Sequence, residues 1–281
     1  MSEGNRTGRR TVERDGVRLH VDDSGPTGGA PVVLLSGLAM STAGWDPVAD
    51  RLVGAGHRVV RPSTRGHGPS DAPSSGYRLA DLAADVVAVL DAVGPGPAHL
   101  VGHSLGGMVA VQVALAHPDR VASLALLGAP VAGQPPAPAF LAWAGQVLRL
   151  ARDGLPALLA GLPETVAFAH RIPDPALAAA VHAQVTSTLR APAFVPENFA
   201  DVPAVAAVRP TPWQRLRAGE LTAPLLVLDG ADDPLVGGGA EPTAAHVPGA
   251  RSVALPGAGH LALLEQPDAV AAELLRALRP A

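Results

Sequence analysis

Five short runs constrain this chain more than anything else in it: PVVLLSG (31–37), HRVVRP (57–62), AHLVGH (98–103), VASLALLG (121–128) and PLLVLDG (224–230). Most are continuously apolar rather than alternating, and turn residues close them. That pattern suits strands buried on both faces, which belong to a parallel sheet. Between them lie stretches with helical spacing. LADLAADVVAVLDAV (79–93) puts Leu82, Val86 and Leu90 on one face, and further helices are expected from about Trp45 to Val53 and from Ser104 to about His117. Strand and helix in alternation predict an α/β fold, a mostly parallel central sheet with helices on both faces. TVERDGVRLHVD (11–22) alternates around Asp15-Gly16 and predicts a leading β-hairpin.

The alternation stops at Pro130 and resumes near residue 221. The span 131–220 reads as helices and Pro-rich loops without a strand, so the expected organisation is an α/β core (1–130 and 221–281) interrupted by a helical insertion (131–220). RSVALPG (251–257) is expected as another buried strand. LALLEQPDAVAAELLRAL (261–278) is expected as one closing helix with Pro267 inside it.

Composition narrows the function. At 281 residues, with 48% hydrophobic and 16% charged residues, the chain is globular and large enough for a substantial core. A net charge of -4 gives no reason to expect nucleic acid or an anionic membrane as partner. All 21 basic residues are Arg. With no Cys there is neither a disulfide nor a thiolate nucleophile. The polar start, MSEGNRTGRR, lacks the apolar stretch of a secretory signal, and no apolar run approaches 18 residues. A cytoplasmic protein with a small-molecule substrate is the expectation. The Gly runs at 28–29 and 237–239 lack the Lys-Ser/Thr pair of a phosphate loop, and neither a cofactor nor a metal is expected.

AHLVGHSLGG (98–107) holds the chemical signal. A serine between two glycines, at a strand-to-helix turn, is forced into strained backbone angles. The turn lifts the Ser104 hydroxyl above the sheet and leaves the Leu105 N–H at a helix N-terminus, where it can receive an oxyanion. A serine hydroxyl needs a base. His20, His57, His99 and His117 lie in or beside elements. His103 sits inside the turn with its side chain expected to point away from that of Ser104. His260, in PGAGH after the last strand, is the candidate. LDGADDP supplies an acid from Asp229, Asp232 or Asp233 to orient the imidazole.

Ser, Asp and His in that order, each after a successive strand, resemble the α/β-hydrolase family over nearly the whole chain. The resemblance selects Asp233 as the acid, with Asp232 as runner-up. It also makes SGLAMSTAGW (36–45) an oxyanion loop in which Leu38 gives the second N–H. STRGHGPSD (63–71) resembles the family's Asp-x-Arg-Gly-x-Gly-x-Ser stretch, but Ser63 replaces the Asp and would leave Arg65 without its usual neighbour. Arg65 and His67 are expected to hold this loop together. The insertion would be the family's cap. It holds six of the eight aromatic residues, and Trp143 and Phe168 are the candidates to line a pocket.

The resemblance implies hydrolysis of a carboxylic ester or lactone through an acyl-Ser104 intermediate. C–C hydrolysis, thioester cleavage, cofactor-free perhydrolase or haloperoxidase chemistry and a biosynthetic tailoring step use the same triad. A non-catalytic receptor uses the same fold. Epoxide hydrolases and haloalkane dehalogenases place Asp where this chain has Ser104.

Overall fold

The computed structural model describes residues 8–129, 138–165, 175–199, 219–236, 244–245 and 247–278. The chain opens with the antiparallel hairpin β1 (Gly8–Arg14) and β2 (Val17–Ser24), turned by Asp15 and Gly16, both at positive φ. A two-residue turn with positive φ at both positions matches the twist of the strands it joins. Then follow β3 (Val32–Leu35), α1 (Asp46–Gly54), β4 (Val59–Pro62), α2 (Leu79–Val93), β5 (Ala98–His103), α3 (Leu105–Ala116) and β6 (Val121–Leu127). Next come the helices α4 (Pro138–Arg152), α5 (Leu155–Thr165), α6 (Pro175–Thr188) and α7 (Phe194–Phe199). The core returns with β7 (Leu225–Gly230), β8 (Arg251–Leu255), α8 (Ala262–Glu265) and α9 (Pro267–Ala277).

The eight strands form one sheet in the order β1-β2-β4-β3-β5-β6-β7-β8, parallel from β4 onward. Every residue of β3, β4 and β7 is buried, as continuous apolar runs require. Two helix pairs cover the sheet, α2 against α3 and α1 against α9.

Two expectations from the sequence need correction. β8 is mostly exposed, because it is the edge strand and pairs only with β7. The closing helix is two helices: Pro267 lacks the N–H an interior turn would need and instead begins α9.

The loop from Ser63 to Arg78 is the longest in the described part of the core, and a buried ion pair anchors it. Arg65 Nε and Nη2 each donate to the Asp85 carboxylate at 2.6 Å, and both residues are buried. Arg65 is therefore not left alone by Ser63. A carboxylate one helix away takes the role, and Ser63 donates to the His67 carbonyl at 3.0 Å. Removing one member of such a pair strands a buried charge. Asp85→Ala should lose about 3–5 kcal/mol of unfolding free energy, read as a lowered denaturant midpoint, whereas a loss below about 1 kcal/mol would make the anchor dispensable.

Candidate active site

Ser104 stands between β5 and α3 with φ 50° and ψ -116°, a strained conformation for any residue with a side chain. Its N–H continues the sheet ladder to the Leu127 carbonyl at 2.9 Å. The turn closes because its neighbours lack side chains. A Cβ on Gly102 would collide with the backbone of Gly106, and one on Gly106 with the carbonyls of Leu35 and Ser36. As the first residue of α3, Leu105 has an N–H with no partner inside the helix. The loop after β3 crosses the same point: a Cβ on Gly37 would lie 3.3 Å from the Ser104 Cβ.

His260 and Asp233 meet from the ends of the last two strands. The Nδ1 of His260 and the Oδ2 of Asp233 are 2.7 Å apart, and both residues are buried. Asp232, the runner-up, is exposed, and Asp229 accepts the Gly128 N–H at 3.1 Å. Burial would raise the Asp233 pKa. The facing His260 and the Leu235 and Val236 N–H groups outweigh it, so the carboxyl lies below the usual carboxylate range. The two loops are stapled by their backbones: Ala231 N–H donates to Leu255 and Asp232 N–H to Ala258, each at 2.9 Å. Gly128, at φ 52°, passes so close that a Cβ there would sit 3.2 Å from both Asp233 Oδ2 and His260 Nδ1.

Two supports of His260 were not visible in the sequence. Glu265 accepts the N–H of Gly259 at 2.7 Å and that of Leu261 at 3.1 Å, gripping the loop on either side of the imidazole. His103 Nε2–H donates to the His260 carbonyl at 2.9 Å. His103 is therefore part of the site, lining the same cavity as Ser104. Burial, with His260 close by, brings its pKa down to about 3, so the ring is neutral and the Nε2 proton is fixed by its carbonyl acceptor.

Ser104, His260 and Leu38 line a narrow cavity of about 30 Å³. Its other walls are mostly aliphatic: Met40, Leu235 and Leu261 from the core, Val181 and Val185 from α6. Trp143 of α4 also lines it. Phe194 does not. It is buried against the rings of His67 and Tyr77. Phe168 lies outside the described residues. Among the described aromatics Trp143 thus borders this cavity, and valines and leucines supply half of its lining residues.

The family model for the alpha/beta hydrolase fold matches residues 30–267. The chain belongs to the α/β hydrolase fold family. The haloalkane dehalogenase of Mycolicibacterium paratuberculosis is 31% identical over 246 residues, 83% of this chain and 78% of that protein. A Variovorax paradoxus protein assigned as carbamate hydrolase RutD is 50% identical over 112 residues, 40% of this chain and 42% of that protein. In that second match the chain thus spans about two fifths of the relative's length. The enol-lactonase of Burkholderia xenovorans LB400 superposes with a TM-score of 0.77 at 28% identity, covering 96% of this chain and 99% of that one. No helix among the described residues is long and apolar enough to cross a membrane.

The buried histidines make stability depend on acid. Burial holds His67 down at about 4 and His103 at about 3, against 6.5 for a free imidazole. Above pH 6.5 neither state binds the proton. Below it the unfolded chain does and the folded chain does not, so stability falls as pH drops from 6.5 toward 4. Urea unfolding between pH 6 and 4.5 should show uptake of about two protons, a loss approaching about 2.7 kcal/mol per pH unit. A flat profile there would mean that these rings are not buried neutral.

Proposed function

We propose that this protein is a serine hydrolase that cleaves a carboxylic ester or lactone of a small, largely apolar molecule. The observation that carries the reading is Ser104 at positive φ, lining one cavity with a histidine whose Nδ1 lies 2.7 Å from a buried carboxylate. Ser104 attacks the carbonyl carbon. His260 takes the proton and returns it to the leaving group, and Asp233 holds the imidazole tautomer and offsets its positive charge. The N–H groups of Leu38 and Leu105 receive the oxyanion. Water then resolves the acyl-Ser104 by the same proton path. The names of two relatives, a carbamate hydrolase and an enol-lactonase, support a carbonyl substrate. Ser104 itself argues against dehalogenation, which in that family begins with an Asp. The narrow aliphatic cavity supports a small acyl group.

The test is a panel of p-nitrophenyl acyl esters, lactones and carbamates offered to wild type and variants. Ser104→Ala should stay folded and lose on the order of 10⁴-fold in kcat. Retention of near-wild-type hydrolysis would remove Ser104 from the mechanism. Asp233→Asn should lose roughly 10⁴-fold through the wrong imidazole tautomer, while Asp232→Asn stays within about twofold. The reverse ranking would contradict the geometry.

Trp143→Ala enlarges the chamber without touching the reacting groups. The preference in kcat/KM between a longer and a shorter acyl chain should move toward the longer by roughly tenfold, chiefly through KM. An unchanged preference would place the acyl group elsewhere.

A further inference from the structure

The loop bearing Leu38 is bent into a turn that its own sequence does not favour. Met40 N–H closes it onto the Gly37 carbonyl at 3.2 Å, and its third residue, Ala39, sits at φ 58°. That position ordinarily takes Gly, so Ala39 is strained. Flipping the peptide between Leu38 and Ala39 would relieve the strain and change the type of the turn that carries Leu38.

One side chain holds that peptide. Ala39 N–H donates to His67 Nε2 at 3.1 Å. The other ring nitrogen, Nδ1, lies 3.2 Å from the Arg65 carbonyl, which can only accept, so the proton is on Nδ1 and the lone pair on Nε2 faces Ala39. His67 is 1% exposed and seated edge-on against Phe194, ring centres 4.5 Å apart. Its backbone is clamped from the far side. Gly68 N–H donates to the Thr188 carbonyl and Arg190 N–H to the Gly66 carbonyl, each at 2.7 Å, while the Arg190 guanidinium reaches the Gly68 carbonyl at 2.9 Å. The segment after α6 thus fixes the loop that carries the imidazole.

We propose that His67 is a positioning residue for oxyanion stabilisation: by accepting the Ala39 N–H it holds the strained turn that presents the Leu38 N–H to the reacting carbonyl. This rests on the serine-hydrolase reading above. His67 touches no substrate and acts only through the loop. Burial keeps the ring neutral, with a pKa near 4, so the acceptor is present throughout the neutral range.

Two substitutions separate positioning from packing. His67→Asn can still reach the Arg65 carbonyl but is too short to accept from Ala39. His67→Gln places an amide oxygen near the lost Nε2. For a p-nitrophenyl ester, His67→Asn should lower kcat about 10- to 100-fold with KM within about twofold, and His67→Gln should recover most of the loss. Affinity for a trifluoromethyl ketone, whose adduct bears the oxyanion, should fall by the same factor as kcat. A folded His67→Asn protein with wild-type kcat, equal losses in both variants, or a loss in KM alone would overturn the proposal. Nitrogen-15 spectra of wild type cover the case in which His67→Asn does not fold. They should show His67 as the Nδ1–H tautomer, and an Nε2–H tautomer would overturn the proposal. Fluorophosphonate labelling of wild type distinguishes the two readings. Absence of a label on Ser104 defeats the serine hydrolase, whereas a labelled Ser104 with unaffected His67 variants defeats only the role of His67.

Discussion

The interpenetration of the first turn of α3 with the ends of β3 and β5 is the contact on which the rest of the site depends. Backbone meets backbone there, with no room for a Cβ on Gly102 or Gly106. Interiors are packed too densely to absorb an added atom at such a crossing. The approach forces Ser104 to φ 50° and leaves the Leu105 amide in the first turn of α3, without a partner inside the helix. Strain at a single residue costs on the order of 1–3 kcal/mol, and a sheet buried on both faces supplies the stability that offsets it.

Everything opposite Ser104 is likewise held by backbone. Glu265 grips the amides on both sides of His260, His103 donates to its carbonyl, and paired hydrogen bonds join its loop to the turn of Asp233. The imidazole is thus placed by fixed neighbours before any substrate arrives. Preorganised groups of this kind need no rearrangement when charge develops, which is where their catalytic value lies. The helices after β6 join in by supplying part of the chamber wall and by bracing the loop of His67. The end of α6 and the residues just after it thus touch both the chamber and the loop of His67.

What could be read from the sequence was what local signals encode. Continuous apolar runs located β3 to β7, Asp15-Gly16 located the hairpin turn, and glycine spacing located the elbow. His260 stood out because it follows its strand at a short distance, whereas the strand end offered three aspartates and only the family resemblance singled out Asp233. Long-range pairings were not. Arg65 and Asp85 are 20 residues apart and His103 and His260 are 157 apart, and no local pattern announces either contact. β8 misled because its Val-Ala-Leu run reads the same in the middle of a sheet as at its edge, and only strand order decides. Phe194 and Trp143 look alike in sequence, yet one braces His67 and the other faces Ser104. Helix packing makes that distinction, and a side chain's type does not.

In the proposed reaction the strained serine at the elbow is the nucleophile and carries the acyl group. The most direct measurement is rapid acid quench of the protein during turnover of a p-nitrophenyl ester, followed by peptide mass mapping. The peptide containing Ser104 should gain the mass of one acyl group within the burst of p-nitrophenol, and this gain should be absent in Ser104→Ala. An active protein that never carries the acyl group on Ser104, or carries it on another residue, would contradict it.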